Sequence, residues 1–161
     1  MHALFKAALV ALPLAAPVAA VAQEERETFG DWVLVCDGGQ PCRLIQQQTE
    51  RETGDLAVRM IALKVDDGAV LAAQMPMGVH LPSGAVYRFE TPEDEPQRQM
   101  VWQRCMDNIC EAAIQLDEQE LEFFGQNDSI LFAYRLTPQD EPRIMQVSLA
   151  GFLDGLERTG E

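Results

Sequence analysis

Cys105-Met106-Asp107-Asn108-Ile109-Cys110 decides the fold class, because two cysteines close on four residues that read as a hairpin loop between two apolar runs. Met100 to Cys105 enters the loop and Cys110 to Leu116 leaves it. The cysteines then face each other across two antiparallel strands, where Cβ atoms come within disulfide range. The device also occurs earlier: Cys36 and Cys42 enclose Asp37 to Pro41, between a strand at Trp32 to Cys36 and its return at Arg43 to Thr49. Four cysteines allow three pairings, and hairpin geometry favours the two local ones. Closing loops this short restricts the unfolded chain by only about 2 kcal/mol each, against roughly 4 for a bridge between the two segments. The bridges therefore fix loops more than they hold the chain together. Neither has the Cys-x-x-Cys spacing of a thiol oxidoreductase.

Outward from the brackets, short apolar or alternating runs alternate with turn chemistry. Leu56 to Val65 pairs with Val70 to Met75 through Asp66-Asp67-Gly68, and Val79 to Leu81 and Val86 to Phe89 flank Pro82-Ser83-Gly84. Ser129 to Leu136 and Arg143 to Ser148 supply the last strands. Helix is scarce. Asp117 caps a short internal helix with Glu120 completing a capping box, and Gly125 ends it. Ser148 caps a C-terminal helix over Leu149 to Arg158, whose Leu149, Phe152, Leu153 and Leu156 form one apolar stripe. Its Gly151 and Gly155 allow close backbone approach. This spacing of strands implies a mainly β sandwich or barrel. Glu90 to Gln99, rich in proline and acid, reads as a long loop.

The first 22 residues read as a cleavable signal peptide: His2 and Lys6 precede an apolar run from Ala7 to Val21, and Ala20-Val21-Ala22 is a small-x-small cleavage site. Residues 23–161 then form one domain with no second hydrophobic span, which places the mature protein in the periplasm or at the outer surface. The chain carries 12 basic and 26 acidic residues, a formal charge of −14, and loss of the leader removes Lys6 as well. Such a surface repels phosphate backbones and anionic lipid, which argues against nucleic-acid binding. Export favours disulfides over zinc, and His80 is the only histidine beyond the leader.

Four motifs carry a resemblance: Phe29-Gly30-Asp31-Trp32 followed by Cys36 and Cys42; Met75-Pro76-Met77-Gly78-Val79-His80-Leu81-Pro82-Ser83-Gly84; Cys105 with Cys110-Glu111-Ala112; and Ser148-Leu149-Ala150-Gly151-Phe152. In this order they resemble the invasion-associated locus B family of bacterial envelope proteins. The resemblance implies an immunoglobulin-like β-sandwich, periplasmic or surface-exposed, linked in some pathogens to host-cell entry and without catalytic residues. The sequence departs from the family at Met75 and Met77, where leucine-like residues are usual, and at Asn108-Ile109, where a glycine is common before the second cysteine.

Candidate chemistry is sparse. A Ser-His-Asp arrangement would need His80 as its base, and nothing around Ser83, Ser129 or Ser148 resembles a nucleophile elbow. Met75, Met77 and His80 are soft ligands that would suit Cu(I), the basis of an alternative reading as a periplasmic copper carrier; two core-filling methionines are the plainer expectation. Glu90, Glu93, Asp94 and Glu95 lack the order of a calcium loop. Trp32 and Trp102 each precede a cysteine by a few residues and are expected to pack in the core. The sequence thus points to a protein without cofactor that works by contact with an envelope or host protein, through an exposed sheet edge or the loops between strands.

Overall fold

Period-two alternation sets the architecture. The computed structural model describes residues 25–37, 40–90 and 96–160. These form ten strands: β1 Glu25–Phe29, β2 Trp32–Cys36, β3 Arg43–Thr49, β4 Leu56–Val65, β5 Gly68–Pro76, β6 Ala85–Phe89, β7 Arg98–Met106, β8 Ile109–Leu116, β9 Ser129–Tyr134 and β10 Arg143–Ser148. Two helices accompany them, α1 Glu118–Gln126 and α2 Phe152–Arg158. The strands join in one antiparallel sheet of order β1-β2-β3-β4-β5-β8-β7-β6-β9-β10. The fold is mainly β: a curled sheet with a short internal helix and a short C-terminal one.

The curl gathers the inward side chains of both halves into one core, from Trp32, Leu44, Met60 and Leu71 on one side to Tyr87, Phe89, Phe132 and Tyr134 on the other. Phe124 of α1 and Phe152 of α2 fill the space between, with ring centroids 4.9 Å apart, and Phe152 meets Trp32 edge-on at 5.0 Å. Closure across the curl is made by side chains. The Trp32 indole and the Gln46 amide both donate to the Ser148 carbonyl, at 2.9 and 3.0 Å, and Gln48 donates to the Gln146 carbonyl at 2.5 Å. The outer carbonyls of β10, which an edge strand would leave open, are thereby occupied from inside the protein.

The two ends of the chain cross at one point. Asp31 N–H donates to the Ala150 carbonyl at 3.2 Å, beside Gly30 and Gly151, both at positive φ. A Cβ on either glycine would run into the backbone of the other segment, Ala150 O for Gly30 and Phe29 O for Gly151. The first and last motifs of the resemblance are thus the two halves of one backbone crossing.

Several expectations change. β1 was not anticipated, since Glu25, Arg26 and Glu27 offer no apolar face; it forms by pairing along β2. The C-terminal helix begins at Phe152, not Leu149, and Ser148 does not cap it: Ser148 ends β10, its Oγ accepts from Ala150 N–H, and Gly151 stands at the N-cap. Val79 to Leu81 is no strand; Leu81–Ser83 is a turn of 3-10 helix with Pro82 in its first turn. Asp117 caps α1 as expected, accepting from Glu120 N–H at 2.8 Å. The capping box fails, because Glu120 turns its carboxylate to the Tyr87 hydroxyl at 2.6 Å and to Arg98 at 3.2 Å. A buried pair of partners outbids one local amide. Gly125 lies inside α1, where a Cβ would stand 2.8 Å from Leu153 Cδ1, so it sets helix packing and does not end the helix. The signal peptide and Glu93, Asp94 and Glu95 lie outside the described residues.

Candidate interaction surface

β7 leaves the shelter of β6 after three residues. Ala85, Val86 and Tyr87 pair with Met100, Gln99 and Arg98, and from Val101 onward β7 is paired on its β8 side alone. The β7–β8 hairpin therefore projects with one free edge. A register shift between Trp102 and Arg104 marks a bulge, a device that bends an edge strand away from casual pairing. The loop is shorter than the sequence reading: strands run through Met106 and Ile109, and Asp107 and Asn108 alone turn, at φ 52° and 63°. Both left-handed positions make a type I′ turn, and Asp and Asn tolerate this region better than other non-glycine residues.

One bridge closes this hairpin on itself, and two hydrogen bonds fasten it to the segment that follows β5. Cys105 and Cys110 are bonded, as Cys36 and Cys42 are at the other bracket, which bears out both local pairings. Met77 N–H donates to the Asn108 carbonyl at 2.9 Å, and the Trp102 indole donates to the Leu81 carbonyl at 2.9 Å. Trp32 is fully buried as expected, whereas Trp102 is only half-buried and packs against the edge of the core. The second and third motifs of the resemblance thus meet here, as the first and fourth meet at the glycine crossing.

This junction is apolar on the outside. Met77, Leu81, Val101 and Met106 retain 49, 42, 66 and 51% of their exposure, and they are four of the six large apolar side chains found exposed among the described residues. Beside them runs an open groove of about 1410 Å³, walled by the β3–β4 turn, Pro76, Met77, Ile109, Leu136, Ile144 and Met145. Its far wall is pinned by the Arg143–Glu50 ion pair at 2.7 Å and by Tyr134, whose hydroxyl donates to the Ala57 carbonyl at 3.1 Å. Burial raises the pKa of Tyr134, against the opposing pull of Arg143, so the hydroxyl stays a donor at neutral pH.

The sequence-nominated ligands do not assemble. Met75 is sealed in the core, paired with Cys110 across β5 and β8, while Met77 lies beyond the strand and is half exposed. His80 is held elsewhere: its Nδ1 lies 2.7 Å from Ser83 Oγ and its N–H donates to the Arg135 carbonyl. The copper reading therefore has no support, since a thioether buried among aliphatic groups shares no open space with the other two. The His80–Ser83 contact spans one turn, and among the described residues no carboxylate hydrogen-bonds to the imidazole. Ser129 donates to Glu90 at 2.6 Å, and Ser148 Oγ accepts from Ala150 N–H in the turn before α2. What the sequence reading missed is Val101 and Met106; the free edge depends on where β6 begins, and no local pattern near residue 101 reports it.

The chain was compared with known proteins. The family model described as invasion associated locus B (IalB) protein matches residues 32–160. Among solved structures, the fold is similar to the crystal structure of invasion associated protein B from Bartonella henselae, with a TM-score of 0.69 and 18% identity, covering 84% of this chain and 95% of that one. No curated protein matches.

Proposed function

Because the chain belongs to the invasion associated locus B family, we propose that it is an exported envelope or surface protein that acts by holding another protein, of the envelope or of a host cell, and not by catalysis. The observation that carries this reading is the concentration of exposed apolar side chains on one stapled hairpin and the segment fastened to it. Scattered exposed apolar residues need no explanation, but a rigid cluster beside a free strand edge is the composition of a contact site. Covering the exposed parts of Met77, Leu81, Val101 and Met106 would contribute about 1 kcal/mol each. Two disulfides, and the lack among the described residues of any helix long and apolar enough to cross a membrane, fit delivery to an oxidising compartment. The immunoglobulin-like sandwich implied by the resemblance belongs to this proposal, with the two halves of the curled sheet acting as its layers. The test is a photo-crosslinking amino acid placed at Met106 in the cells that make the protein, with Asp67 as control. A discrete adduct at position 106, lost on competition with unlabelled protein and missing at position 67, is expected. Equal capture at both positions, or none at either, would remove the hairpin as the site.

A further inference from the structure

The outer face of the sheet carries an apolar row that the core does not use. Val33 pairs with Ile45, Ile45 with Ile61, Ile61 with Ala72, Ala72 with Ala113, and Ala113 with Val101. Six strands, β2-β3-β4-β5-β8-β7, thus contribute one outward apolar side chain each, and Leu63 and Val70 extend the patch by a second row. An antiparallel sheet with one solvated face is expected to alternate to polar residues there, and these two rows do not.

Two residues further along each strand lies a polar row with closed internal accounts. Arg59 donates to Gln47 at 2.9 Å and to Gln74 at 3.4 Å, Gln74 donates to Glu111 at 2.7 Å, and Arg104 lies 3.7 Å from Glu111. In a chain of charge −14, this face bears two arginines and one glutamate in the row. Its order across the sheet is Gln47, Arg59, Gln74, Glu111, Arg104, so that reversal about β5 sets cation against anion.

We infer that this face is the interface of a homodimer, with a two-fold axis running along β5. That operation lays β4 on β8 and β3 on β7 of the second copy, with strands aligned as in face-to-face sheet packing. Arg59 then faces Glu111 of the other copy, and Glu111 faces its Arg59. In the apolar row, Ile61 enters the hollow over Ala113, Ile45 meets Val101, and Ala72 meets Ala72. The central alanines let the two sheets approach and offset the outward curvature of the curl. The five facing strands at about 4.8 Å spacing and three rows of side chains give a footprint on the order of 500 Å² per copy, near the lower bound for a specific pair. The remaining negative charge opposes approach at long range, so added salt strengthens the pair as screening shortens to about 8 Å at 0.15 M. This interface shares Val101 with the hairpin reading, but it rests on the Arg59–Glu111 order and the apolar row of β3, β4 and β5, and so survives the failure of that reading.

The experiment is sedimentation velocity on the disulfide-intact protein over a concentration series at low and moderate salt, with thermal melting to check folding. The wild type is expected to dimerise, more tightly at higher salt. Arg59→Glu sets carboxylate against carboxylate and is expected to weaken the dimer about tenfold or more. Arg59→Glu combined with Glu111→Arg restores the pairing and is expected to recover it. A wild type monomeric at every concentration, a dimer indifferent to Arg59→Glu, or a double variant no better than the single would each overturn the inference. So would wild-type protein that stays monomeric in water and collects on neutral phosphatidylcholine vesicles.

Discussion

The Ser148 carbonyl receives two donors from the opposite side of the curl, and that redundancy has a measurable signature. Trp32→Phe removes the indole bond and trims a fully buried ring; at about 1 kcal/mol for the bond and about 1 for the packing, the expected cost is about 2 kcal/mol. Gln46→Leu removes the other donor, for about 1 kcal/mol. Either change alone leaves Ser148 O with one partner. Together they leave a carbonyl inside the closure with none, a further cost of about 1–3 kcal/mol beyond additivity. Urea unfolding of the wild type, the two singles and the double, with disulfides intact and m-values compared, supplies the cycle. A double variant within about 0.5 kcal/mol of the sum would refute the claim that these two donors close the curl through one shared acceptor.

Two further outcomes follow from the same structure. Replacing Cys105 and Cys110 together by alanine should lower stability by about 2 kcal/mol and speed hydrogen exchange of the Met77 amide, while amides in the middle of β4 stay protected; global loss of structure would contradict a bridge that fixes a loop only. Tyr87 is buried and donates to Glu120, and burial, then that bond, raises its pKa well above the ordinary 10.0. Its folded pKa exceeds its unfolded one, so the stability it contributes is intact below pH 10 and erodes above it by about 1.4 kcal/mol per pH unit. Tyr87→Phe should therefore flatten the alkaline limb of stability between pH 10 and 11.5, and parallel curves would contradict the assignment.

What the sequence disclosed were features decided within a few residues. The β4–β5 hairpin follows from Asp66-Asp67-Gly68, the two disulfides from hairpin spacing, and the start of α1 from Asp117. What it withheld were features decided by neighbours far along the chain. β1 is polar up to Phe29 and becomes a strand because β2 offers an unpaired edge. Glu120 leaves its capping box for Tyr87 and Arg98, partners 33 and 22 residues away. Val79 to Leu81 reads as strand by composition, yet Pro82 supplies no N–H and the segment is claimed by contacts to Arg135 and Trp102. The candidate interaction surface lay wholly in this second class. Val101 and Met106 look like ordinary strand residues until the short reach of β6 leaves them uncovered.

The residues that carry the family resemblance divide between two junctions, and at both they fasten backbone segments together. Gly30 and Gly151 permit a crossing that no Cβ would allow, which ties the first strands to the C-terminal helix. Met77, Leu81, Trp102 and the Cys105–Cys110 bridge hold one hairpin upright. A fold kept at 18% identity can rest on such backbone-level fastenings while most side chains differ. On the proposed reading, the fastenings set where a contact surface stands, and the particular side chains set what it would hold. In this chain those are thioethers and valine at the hairpin edge, and the Arg59–Glu111 order on the sheet. Exchanging Met106 and Val101 for polar residues should then abolish partner capture and leave the melting temperature nearly unchanged, because exposed side chains contribute little to folding. A large fall in melting temperature would instead assign these two residues to the scaffold.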